Sequence, residues 1–115
     1  FCNESEALSL FKKDKLANCL GDLSNLCELV VVTLGSNGSL IINKNGIEVI
    51  KSMNKGKVID TTGAGDIYAG GFIHGLISNY SLKKCGEMGS ICAGQIITQL
   101  GSRSNIDLKE LIRQI

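Results

Sequence analysis

The run Glu28–Leu34, ELVVVTL, constrains this chain more than any other stretch. Three consecutive valines suit a pleated strand, and with no polar residue alternating among them neither face can be left to water. The spacing predicts a strand buried on both faces. It ends in Gly35-Ser36-Asn37-Gly38, after which Ser39-Leu40-Ile41-Ile42 resumes an apolar run. Asn45-Gly46 is a type I′ turn signal, so residues 39–43 and 47–51 are predicted to pair as a hairpin.

A second stretch carries the chemistry. Asp60-Thr61-Thr62-Gly63-Ala64-Gly65-Asp66 is a polar, glycine-bearing turn that opens directly into Ile67-Tyr68-Ala69-Gly70-Gly71-Phe72, where apolar residues take up helical spacing. Backbone N–H groups from Gly63 to Asp66 then fall at a helix N-terminus, which is an anion site. The glycines let the main chain approach a phosphate without a Cβ in the way. Asp66 lands in the first turn, where the helix dipole favours a carboxylate. An acid beside an anion cradle does not serve to attract the anion. If the anion is a phosphoryl group in transit, the acid is suited to taking a proton from the attacking hydroxyl. The plainer reading is a glycine-rich turn with Asp66 as a dipole partner only.

The run DTTGAGDIYAGGF resembles the C-terminal signature of the PfkB, or ribokinase-like, family of carbohydrate and nucleoside kinases. The resemblance makes Gly63, Ala64 and Gly65 the anion hole and Asp66 the catalytic base. It also implies that Asp60 and Thr62 help to hold a monovalent cation, usually K+, although a cap or turn role suits both residues as well. Asn3-Glu4-Ser5-Glu6 matches the family's N-x-x-E motif, used in binding Mg2+ and phosphate, in part through water. The same residues read as a capping box with asparagine in the place of Ser or Thr, followed by a helix through Leu8, Leu10 and Phe11.

Thr33-Leu34-Gly35-Ser36-Asn37-Gly38 resembles the family's T-L-G-x-x-G loop near the ATP phosphates and ribose. A position after a buried strand is where ligands gather in open α/β sheets. Thr33, Gly35, Ser36 and Gly38 are the residues expected near nucleotide, while Asn37 reads as an ordinary turn residue.

Residues 12–26 suit a short amphipathic helix and a loop covering a sheet. Residues 51–57 read as an exposed loop. From Asp66 to Ser78 a helix is expected, with Gly70 and Gly71 permitting close packing against the sheet or nucleotide. His74 reads as a helix-face residue. Ser81 is expected to cap a second helix running to Leu100, with Ala93, Gly94 and Ile97 bordering the adenine pocket by resemblance, or simply lining the core. Gly101 suits a C-cap, and residues 106–115 a short closing helix.

The composition is that of a soluble core, 43% hydrophobic and 4% aromatic. A formal net charge of +1 advertises neither nucleic acid nor an anionic membrane as partner. No apolar run approaches the roughly 18 to 20 residues that span a bilayer. Five cysteines without a C-x-x-C pair read as reduced cytosolic thiols in the core, not a zinc site, so a cytoplasmic compartment is expected. Asn-x-Ser triplets at Asn3, Asn37 and Asn79 are taken as coincidence. The Phe-Cys-Asn start shows neither an initiator methionine nor a leader, which suggests a segment of a longer protein.

The resemblance implies a three-layer α/β/α sandwich with a mostly parallel central sheet and a β-hairpin. It also implies that residues 1–115 form the C-terminal ATP-binding and catalytic part of a kinase in the adenosine-kinase-like branch. The N-terminal part, with substrate recognition and a lid through which the parent dimerises in some members, would lie outside. ATP, Mg2+ and K+ are the implied small partners, with a sugar or nucleoside as the acceptor. The rival is a non-catalytic nucleotide-binding relative. A P-loop is excluded because Gly65 to Gly70 is followed by Gly71-Phe72 instead of Lys-Ser/Thr, and no Gly-x-Gly-x-x-Gly dinucleotide turn occurs.

Overall fold

The computed structural model describes residues 1–53 and 63–96. The chain enters through a two-residue strand, β1 (Cys2–Asn3), which runs into helix α1 (Glu4–Phe11). A 3-10 turn at Leu16–Asn18 leads to α2 (Leu20–Leu26) and then to β2 (Leu29–Thr33). After a second 3-10 turn at Gly35–Asn37 the chain forms β3 (Ser39–Asn43) and β4 (Gly46–Ile50). Two helices follow, α3 (Ala64–Ile77) and α4 (Leu82–Ile96).

The sheet has the order β1-β2-β3-β4. β1 and β2 are parallel, joined by the α1–α2 crossover, whereas β2–β3 and β3–β4 are antiparallel. The α/β expectation holds, with the detail that the described sheet is mixed: a hairpin has room only to turn back on itself, so β3 and β4 cannot be parallel to their neighbours. β2 is buried on both faces as its valines require. Val30 and Val32 join Ala7, Cys19, Leu23 and Ile42 in a core beneath α1 and α2, while Val31 joins Ile41, Ile50, Tyr68, Phe72 and Cys85 beneath α3 and α4. Two helix layers therefore enclose one sheet.

The hairpin turn differs from the expected one. Asn43 pairs with Gly46, so Lys44 and Asn45 form the loop, and Asn45 donates its N–H to the Asn43 side chain at 2.9 Å. The positive φ falls on Gly46 at 125°, and among the described residues only Lys12 and Asn79 show it outside glycine. A type I′ turn needs positive φ at both central residues, so the turn moves one residue toward the N-terminus and uses Gly46 at its exit.

α3 and α4 pack closely through glycine. A Cβ on Gly71 would come within 2.9 Å of the Met88 carbonyl oxygen, and one on Gly89 within 2.8 Å of the Tyr68 carbonyl oxygen. Gly71 thus serves the neighbouring helix, not the sheet or a nucleotide. α3 closes with Asn79 in the left-handed region at φ 61°, the Tyr80 N–H reaching the Gly75 carbonyl at 3.0 Å. Ser81 caps α4 by accepting the Lys84 N–H at 3.2 Å, as expected. Cys19, Cys85 and Cys92 are core residues, Cys2 is half-buried and Cys27 is exposed. The expectations for Asp60, Thr62, Ile97, Gly101 and residues 106–115 lie outside the described residues.

Candidate phosphoryl-transfer site

Asn3 and Thr33 end the two parallel strands side by side, paired in register. The carboxyl ends of β1 and β2 therefore present the Asn3–Glu6 segment and the loop from Thr33 to Gly38 at one edge of the sheet, where ligands bind in open α/β folds.

Asn3 and Glu6 form a complete capping box. The Glu6 N–H donates to Asn3 Oδ1 at 2.7 Å, and the Asn3 N–H donates to Glu6 Oε1 at 2.9 Å. Both side chains are exposed. The cap occupies one oxygen of each, and a carboxylate has a second. Among the described residues no group of three His, Cys, Asp or Glu side chains converges to hold a metal. One amide and one carboxylate do fit the way Mg2+ is held beside phosphates, with few protein ligands and several waters.

In the loop, Gly35 has φ 60° and stands exposed with Ser36 and Asn37. Gly38 is buried with φ 93°, and a Cβ there would overlap the Ile50 carbonyl oxygen. Its backbone accepts the Leu34 N–H at 2.8 Å. Gly38 is thus required by the join between β3 and β4, whether or not nucleotide binds. The Thr33 hydroxyl reaches the Cys2 carbonyl at 3.5 Å, a long contact that braces β2 on β1.

α3 begins where the glycine-rich turn ends. Gly63 is its N-cap residue, in the left-handed conformation at φ 78°, and its carbonyl accepts the Ile67 N–H at 3.0 Å. The N–H groups of Ala64, Gly65 and Asp66 then precede the first intrahelical bonds, and no side chain caps them among the described residues. Asp66 sits in the first turn and is exposed. A Cβ on Gly65 would meet nothing within 4 Å among the described residues. The residues present therefore suit an anion such as a phosphate.

Two contacts set the direction of α3. The Tyr68 hydroxyl lies 2.6 Å from Ser39 Oγ, beside the end of β2, since Ser39 pairs with Thr33. Further along, Phe72 meets Phe1, which precedes β1, edge to face at 5.5 Å. α3 thus runs against β1 and β2, and its N-terminus lies toward their carboxyl ends, on the same side as Asn3 and Thr33. Burial pushes the Tyr68 phenol above its ordinary value, partly offset by the bond to Ser39, so it stays protonated at neutral pH. The sequence reading missed the Ser39–Tyr68 pair: nothing in its pattern joins residues so far apart. His74 is exposed in the last turn of α3, away from this end. Gly94 is buried, and Ala93 packs against the core beneath α3 and α4.

The chain is similar to known kinases in sequence and in fold. The pfkB family carbohydrate kinase profile matches residues 1–109. A nucleoside kinase of Methanocaldococcus jannaschii is 37% identical over 87 residues, covering 76% of this chain and 29% of the relative. An adenosine kinase from Sinorhizobium meliloti superposes with a TM-score of 0.95 at 37% identity, covering 99% of this chain and 35% of that one. A probable sugar kinase from Rhizobium etli CFN 42 does so with a TM-score of 0.95 at 36% identity, over 99% of this chain and 34% of that one. The chain spans about a third of the length of these relatives. By its profile, its relatives and its fold, this chain belongs to the pfkB family of carbohydrate kinases.

Proposed function

We propose that residues 1–115 form the C-terminal, ATP-binding and catalytic part of a kinase that phosphorylates an alcohol hydroxyl of a sugar or nucleoside, in the adenosine-kinase-like branch. The observation that carries this is Asp66 in the first turn of α3, directly after N–H groups that no side chain caps and a glycine with open space beside it, both among the described residues. In the reaction, the acceptor oxygen forms a bond to the γ-phosphorus of ATP while the bond to the bridging oxygen of ADP breaks. Asp66 takes the hydroxyl proton, and the N–H groups of Ala64, Gly65 and Asp66 hold the charge that develops on the transferring group. The exposed loop at Gly35 and Ser36 lies near nucleotide. Glu6, with Asn3 orienting it through the capping box, would meet the water shell of Mg2+. When bound, Mg2+ neutralises phosphate charge. Asp60 and Thr62 are proposed to hold K+ beside the same turn.

The acceptor-binding surface and lid belong to the remainder of the parent polypeptide in this reading, so the fragment alone binds nucleotide weakly and turns nothing over. The test is ATP consumption by the full-length parent against a panel of adenosine, ribose, fructose and related alcohols, with and without Mg2+ and K+. Turnover of one compound, reduced by about 100-fold to 10,000-fold in Asp66→Asn, is expected. Nucleotide binding without turnover on any compound points instead to a non-catalytic relative. Near-normal turnover by Asp66→Asn removes the base role.

A further inference from the structure

The bond between Ser39 Oγ and the Tyr68 hydroxyl, at 2.6 Å, joins two residues that are 0% and 4% exposed. Filling this space does not require it, because phenylalanine and alanine offer nearly the same shapes without polar atoms. What the pair joins is more informative than what it fills. Ser39 follows Gly38 directly and is held on both sides, opposite Thr33 in β2 and opposite Ile50 in β4. It is the fixed root of the loop from Thr33 to Gly38. Tyr68 lies two residues beyond Asp66 on the same helix. Its ring stacks on Phe72 at 6.3 Å, and its backbone carbonyl rests against Gly89 of α4. Apolar packing alone would let α3 slide or turn slightly on the sheet, whereas a short hydroxyl pair fixes one point of it.

We propose that the Ser39–Tyr68 hydrogen bond is a positioning contact that sets Asp66 relative to the loop from Thr33 to Gly38, an inference that rests on the kinase reading above. Neither residue touches the reacting atoms. Both act through the placement of Asp66, where a misplacement of about 1 Å can cost on the order of 100-fold in rate.

The experiment compares Ser39→Ala, Tyr68→Phe and the double variant in the full-length parent, with wild type and Asp66→Asn beside them. Each single variant leaves one buried hydroxyl without this partner and lowers the thermal midpoint; the double variant removes both hydroxyls and regains most of it. The expected signature is that kcat stays down by about tenfold or more in the double variant, well below its midpoint, although its stability has returned. Return of both the midpoint and kcat in the double variant makes the bond purely structural and overturns the inference, while the kinase reading stands if Asp66→Asn is still impaired. A parent that turns over no alcohol at all overturns both.

Discussion

Gly70 and Gly71 are neighbours in α3, yet alanine is expected to act on them with opposite signs. Gly70 is exposed, and among the described residues nothing lies within 4 Å of a Cβ built on it. Gly71 is buried against α4, where a Cβ would meet the Met88 carbonyl oxygen at 2.9 Å and Gly89 Cα at 3.1 Å. Those atoms are backbone, so no side chain can swing away and the helices must part by a few tenths of an ångström. Both glycines lie mid-helix, so the intrinsic gain from alanine, roughly 1 kcal/mol, is common to both and cancels in the comparison. What remains is overpacking, about 1 to 3 kcal/mol. Gly70→Ala is therefore expected to stabilise the parent by up to roughly 1 kcal/mol. Gly71→Ala should be less stable than Gly70→Ala by about 1 to 3 kcal/mol. Urea unfolding of the two variants, followed by circular dichroism, measures the difference. Equal midpoints would show that α4 yields freely at this contact, and the close α3–α4 approach would then have no energetic weight.

Asn3→Ala removes half of the capping box and is expected to cost about 1 kcal/mol of stability; Glu6→Gln, which can still reach back to the Asn3 N–H, should keep stability but raise the Mg2+ concentration needed for turnover, and an unchanged Mg2+ titration would leave Glu6 as a cap only. Burial pushes the Cys92 thiol up to about 11, and Cys85 and Tyr68 also move upward by burial. A raised acid binds its proton more tightly in the folded state, so its contribution is intact below pH 9 and is lost as the pH rises toward 11. Stability measured from pH 8 to 11 should fall less steeply in Cys92→Ala; identical slopes would argue against a buried thiol. Under native conditions a thiol reagent should modify exposed Cys27 first and spare Cys19, Cys85 and Cys92 until unfolding, and fast labelling of all five would contradict this core.

Legibility in the sequence followed the range of the forces involved. The buried strand was readable because Val30, Val31 and Val32 leave no polar face, and the structure places successive valines in opposite cores. The caps were readable because they close over three residues, as with Asn3 and Glu6 or Ser81 and Lys84. The start of α3 at the Gly-Ala-Gly turn was readable for the same reason. β1 was not, since two residues carry no period and Cys2–Asn3 becomes a strand only because β2 lies beside it. The hairpin is legible but the position of its turn is not, because Asn45-Gly46 satisfies the local rule while the pairing of Asn43 with Gly46 decides the register. At Gly71 the sequence shows close packing but not its partner, because only the packed helices bring Met88 and Gly89 against it.

By itself the sequence determined most of the element types, the two-faced burial of β2, the glycine turn that puts the N–H groups of Ala64, Gly65 and Asp66 at a helix N-terminus, and the family resemblance that names a chemistry for them. Each is a matter of neighbours within a few residues, where propensity and spacing are sufficient. Only the tertiary structure decided that Asn3 and Thr33 end side by side, that Gly38 answers to Ile50, and that α3 lies against α4 through Gly71 and Gly89. It also decided that Ser39 and Tyr68 meet across 29 residues of sequence. Those contacts depend on how sheet and helices pack, and burial rewards any apolar pairing of the right size, so the choice among pairings is made by the assembled shape and not by local pattern.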